Sequence, residues 1–135
     1  MTPAPIAALL RAPATAFLGR LLLMFMFLGS GISKLLDFGA ATTEMAYFGL
    51  QPAAPIAVVV IFTQIVGSLL VLANRLVWLA AGALGIFTVL TIPIAHDFWN
   101  MTGEKAQLEF YVAVEHVAVL GALLLVAILA ERPRP

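Results

Sequence analysis

Four runs of about twenty apolar residues, each nearly free of charge, limit this chain to very few folds. They are "ATAFLGRLLLMFMFLGSGISKLL" (about 14–36), "APIAVVVIFTQIVGSLLVLA" (about 54–73), "LVWLAAGALGIFTVLTIPIA" (about 76–95) and "FYVAVEHVAVLGALLLVAILA" (about 110–130). As a helix, each run reaches about 30 Å, the thickness of a hydrocarbon core. Backbone groups in lipid must pair within their own segment or in a closed barrel, and the alternation of barrel strands is absent. A water-soluble fold is excluded by composition. With 63% hydrophobic and 10% charged residues, 135 residues cannot hide that much apolar surface. The expected fold is all-α: an integral membrane four-helix bundle forming a single membrane domain over residues 1–135.

The connections give the expected topology. Only "NR" (Asn74, Arg75) separates the second and third runs, so these form a tight antiparallel hairpin. The longer connections, "DFGAATTEMAYFGLQPA" and "HDFWNMTGEKAQLE", then emerge on the other side together. Arg11, Arg75, Arg132 and Arg134 flank the hairpin side, with Arg20 towards it. The longer loops carry Lys34 and Lys105 against Asp37, Glu44, Asp97, Glu104 and Glu109. By the positive-inside rule, both termini are expected in the cytoplasm and both long loops outside. Phe38, Tyr47, Phe48, Phe98, Trp99, Phe110 and Tyr111 form an aromatic belt at the outer interface, with Trp78 near the inner one. The first run is too long for a signal-peptide core, is interrupted by Arg20 and has no A-x-A end, so it is expected to remain uncleaved.

Several function classes drop out. Net charge is zero with no basic run, so no nucleic-acid partner is indicated. The chain has no cysteine, hence no disulfide, thiol chemistry, cysteine-ligated iron–sulfur cluster or c-type haem attachment. No hydrolase elbow, phosphate loop or dinucleotide fingerprint is present, and "GALG" is not one. Small residues are expected at helix contacts: Gly29 with Ser33, Gly82 with Gly85, and Ala118 with Gly121 and Ala122. Pro93 is expected to bend the end of the third run.

Ionisable groups inside a spanning segment cost about 2.5–3.5 kcal/mol on insertion scales and are the places to look for function. Arg20, Phe27, Gly31 and Lys34 share one helical stripe, expected to face the bundle. Arg20 can reach inner-leaflet phosphates, and Lys34 can snorkel outward or pair with Glu115 on the antiparallel fourth run. Glu115 is either that ion-pair partner or a carboxyl that binds ligand or carries a proton. His116 points about 100° from Glu115 and lies about 10 Å below His96 by residue count. That depth difference weighs against a shared haem, and hydrogen-bonded interfacial histidines are the plainer reading; no metal site is assigned. Gln64 lies near mid-membrane, either bonded to a neighbouring helix or holding a polar ligand head. An outer-side polar cavity of Lys34, Gln64, His96, Asp97, Trp99, Glu115 and His116 is the candidate site.

The residues from Gly19 to Leu125 resemble the DoxX family of small four-helix membrane proteins. "GRLLLMFMFLGSGISKLLDF" is similar to its opening helix, "YFGLQPAAP" to its following loop, "AHDFWNM" to its histidine-x-phenylalanine-tryptophan signature, and "EHVAVLGALLL" to its last helix. The chain departs from the pattern at Gln64, where the family often has glutamate. It departs again at Glu115 and His116, where the family often has lysine and asparagine. The resemblance implies a four-helix bundle, and for some members a place in quinone-linked or thiol-linked oxidoreductase systems. The expected function is therefore an accessory or interaction subunit of a membrane oxidoreductase in the bacterial inner membrane. No self-contained catalytic motif marks the chain as an enzyme. No cofactor is evident beyond a quinone, and the expected partners are the bilayer, an extracytoplasmic redox protein and further copies of the chain. The alternatives are a non-catalytic membrane scaffold, or a small transporter whose route is lined by Glu115, Gln64 and Arg20.

Overall fold

The computed structural model describes residues 2–132, which contain six α-helices, one 3-10 turn and no strand. Arg134, one of the charges used above for orientation, lies outside the described residues. The helices are α1 (Ala4–Arg11), α2 (Pro13–Leu36), α3 (Phe38–Tyr47), α4 (Ala53–Leu72), α5 (Val77–Ala95) and α6 (Gly103–Glu131). Among the described residues four of them, α2, α4, α5 and α6, are long and apolar enough to cross a membrane. Successive spanning helices pack side by side, whereas α2 and α6 barely touch.

Local chemistry sets the boundaries. Pro13 opens α2, where its fixed φ suits a helix start and its missing N–H is not needed. Asp37 leaves the helix (φ −126°) and its Oδ1 accepts from Ala40 N at 2.9 Å, so one residue ends α2 and caps α3. Gly49, at φ +72°, closes α3, and Leu50 N donates to Met45 O at 2.9 Å. The α4–α5 turn uses two left-handed non-glycine residues, Asn74 and Leu76.

Three expectations change. The first long connection is a helix, α3, whose buried Ala41 and Met45 pack against Ala57 of α4. α6 begins at Gly103 rather than near Phe110, because "GEKAQLE" is polar but rich in good helix formers. With 29 residues it spans about 43 Å, so its first turns extend past a 30 Å hydrocarbon core. Finally, most of the small-residue pairs face outward. A Cβ at Gly29, Gly82 or Gly121 would meet nothing within 4 Å, and one at Gly85 would only reach Leu120 at 3.9 Å. The close approaches are elsewhere. A Cβ at Gly31 would lie 2.8 Å from Ile65 and 3.1 Å from Gln64, and one at Gly67 would lie 3.0 Å from Leu84.

The two halves of the bundle differ. Towards the hairpin end, Met24, Phe27, Val71, Val77, Ala80, Ala81, Leu84 and Leu123 form a dense apolar core. Towards the other end, α3 lies over the helices and a cavity of about 470 Å³ opens beneath it.

Candidate functional site

α2 builds one wall of this cavity with Met26, Phe27, Ser30 and Lys34. Phe27 and Gly31 are buried and Lys34 nearly so, with its side chain 16% exposed. Because Gly31 has no side chain, α4 comes close enough for Gln64 Nε2 to donate to Ser30 Oγ at 3.1 Å. Gln64 is 3% exposed, and its Oε1 has no partner among the described residues. Lys34 Nζ donates to the same Ser30 Oγ at 3.3 Å and pairs with Glu44 of α3 at 2.9 Å. On α5, the Thr88 and Thr91 hydroxyls donate to the Leu84 and Thr88 carbonyls, as threonines in apolar helices often do.

Two histidines complete the polar end. His96 is the C-terminal cap of α5, and its Nδ1 lies 2.7 Å from Glu109 Oε2 on α6. His116 Nδ1 donates to Val112 O at 2.8 Å, and its ring centroid is 4.8 Å from that of His96. Around these groups the lining is apolar, including Met26, Phe27, Met45, Phe48, Ile56, Val60, Phe87 and Ile94. The volume lies within the usual range for small-molecule sites, and so does the mixture of an apolar body with few polar groups.

The sequence-predicted residues divide in two. Lys34, Gln64, His96 and His116 line the cavity together. Asp97 does not; its Oδ2 accepts from Asn100 Nδ2 at 3.0 Å beside the 3-10 turn. Trp99 is 55% exposed and stacks edge-on with Phe98. Glu115 is exposed on α6 and makes no ion pair among the described residues. The inward stripe of α6 runs through Ala113, His116, Leu120 and Leu123, and Glu115 is off it. The expected Lys34–Glu115 pair is thus replaced by Lys34–Glu44, because the helix α3 brings a nearer carboxylate. Arg20 is at the far end, donating to Asn74 Oδ1 at 3.3 Å in the α4–α5 turn. Arg20, Gln64 and Glu115 therefore do not line one route.

The separation expected for the histidines is also corrected. α5 and α6 are antiparallel neighbours, so the end of α5 lies beside the first half of α6. His96, at the C-terminal cap of α5, and His116, on the inward stripe of α6, meet with ring centroids 4.8 Å apart. The rings contact each other directly instead of facing each other across an iron. Among the described residues no three histidine or acidic side chains converge on a metal-sized space.

Ser30, Glu44 and Glu109 belong to the site but carry no site signal of their own in the sequence. Ser30 could have been found four residues before Lys34, on the same helix face. Glu44 needed α3, whose signal was Asp37 as a cap ahead of a short helix-compatible stretch. Glu109 needed the early start of α6.

With the fold in view, comparison with known proteins settles the family. The DoxX family model matches residues 15–97. The chain belongs to the DoxX family. It is also similar to the inner membrane protein YphA of Escherichia coli (strain K12), at 23% identity over 116 residues, covering 86% of this chain and 83% of that protein. No solved structure matches it. Family membership and four apolar helices make it a multi-pass protein of the bacterial inner membrane. The family match covers α2 to α5 and so takes in Lys34, Gln64 and His96, but it stops before Glu109 and His116.

Proposed function

We propose that this DoxX protein is an accessory subunit of a membrane oxidoreductase system, and that its cavity holds a lipid-soluble ring of the quinone class. The observation that carries this is the cavity itself: an apolar chamber inside a membrane bundle whose few polar lining groups include Lys34, Gln64, His96 and His116. A quinone needs an apolar slot for its ring, polar atoms for its oxygens and a way out for its tail. Met26 and Leu90 line the cavity yet are 40% and 51% exposed, which supports a lateral opening to lipid. The arginines at the hairpin end support an inward-facing hairpin and an outward-facing cavity. The protruding start of α6, beside the 3-10 turn, then offers a surface to an extracytoplasmic redox partner.

The test is mild detergent extraction, followed by mass spectrometry of retained lipids and proteins. A near-stoichiometric ring of the quinone class, quinone and quinol counted together, is expected, reduced at least fivefold in Gln64→Leu. Protein that retains phospholipid alone would overturn the proposal.

A further inference from the structure

Most of the free polar atoms of the cavity are acceptors. His116 Nδ1 must carry a proton, because its partner, the Val112 carbonyl, can only accept. His96 Nδ1 faces the Glu109 carboxylate at 2.7 Å, which fixes the same tautomer. In the neutral rings Nε2 is then a lone pair on both histidines, and neither has a partner among the described residues. Gln64 adds a third free acceptor, Oε1, on a side chain that is buried almost completely. Fewer donors remain, namely the Ser30 hydroxyl proton and a third Lys34 proton. Gln64 Nε2 is on Ser30, and Lys34 is shared between Glu44 and Ser30.

We propose that the cavity selects the hydroxyl-bearing, reduced form of its ring, the quinol, over the quinone. This rests on the quinone-class occupancy proposed above. A quinone has only acceptor oxygens, so it would face the histidine and glutamine lone pairs with nothing to donate. A quinol hydroxyl donates to these atoms and can still accept the remaining Lys34 proton. Sites built to bond a hydroxyl discriminate strongly against analogues that lack it, because their own buried groups are left unpaired. Tighter binding of the reduced form also raises the midpoint potential of the bound couple, by about 30 mV for each tenfold in affinity.

The experiment is calorimetric titration of the full-length protein in detergent at pH 8, where imidazole is ordinarily neutral. The probes are a short-chain benzoquinone and, under anaerobic conditions, its hydroquinone. The hydroquinone is expected to bind about tenfold tighter or more. His96→Phe and His116→Phe should each reduce that preference severalfold. Equal affinities, or tighter quinone binding, would overturn the inference and leave the occupancy standing. Binding of neither ring would overturn the occupancy, and the inference with it. A preference unchanged in both variants would overturn the assignment to the histidines. The wild-type ratio needs no variant, so misfolding of either one leaves the test intact.

Discussion

Ser30 Oγ is the meeting point of the site, accepting from both Lys34 and Gln64. Ser30→Ala should therefore disturb two side chains at once. We expect a loss of about 1–2 kcal/mol in detergent unfolding, larger than a single intramembrane hydrogen bond of about 0.6 kcal/mol. The Lys34–Glu44 pair should behave differently. Glu44 is 42% exposed and Lys34 keeps its bond to Ser30, so a double-mutant cycle with Lys34→Met and Glu44→Gln should give a coupling below about 1 kcal/mol that shrinks in high salt. A coupling of several kcal/mol would mean that the pair is sealed from water. Much at this scale was legible in sequence. Lys34, Gln64 and the histidines stand out as polar groups in apolar runs. Their partners do not, because Ser30, Glu44 and Glu109 have ordinary surroundings in the sequence and gain their roles from packing.

At the scale of elements, spanning helices are easy to read and short or polar ones are not. The apolar runs match α2, α4 and α5 to within a residue at each end, since about twenty apolar residues are a strong signal. α3 and the first turns of α6 carry no such signal, and hydropathy passes over them. Yet α3 brings Glu44 to the cavity. Asp37→Ala removes its cap and should cost about 0.5–2 kcal/mol of local helix stability. Hydrogen exchange at the amides of Phe38–Tyr47 should speed up, with α4 unchanged. The glycines give a second contrast. Gly31→Ala should push α2 off α4 and lower stability by about 1–3 kcal/mol, whereas Gly29→Ala on the open face should be neutral or stabilising by up to about 1 kcal/mol. Melting curves of the two variants in the same detergent separate these outcomes.

For the whole molecule, topology is the property to fix first. The chain has no cysteine, so single-cysteine variants have a clean background. Cysteine in place of Lys105 should react with a membrane-impermeant thiol reagent from the outside of intact cells. Cysteine in place of Arg75 should react only after the membrane is opened. The reverse pattern would invert the orientation and move the cavity to the other leaflet.

The packed half of the bundle has its own consequence. Directly beneath the chamber, Met24, Phe27, Val71 and Leu84 are essentially without exposed surface. The chamber is thus a cul-de-sac with a solid floor. Anything that enters must leave through the leaflet it came from, and the exchange kinetics of this protein should follow the composition of that one leaflet and ignore the other.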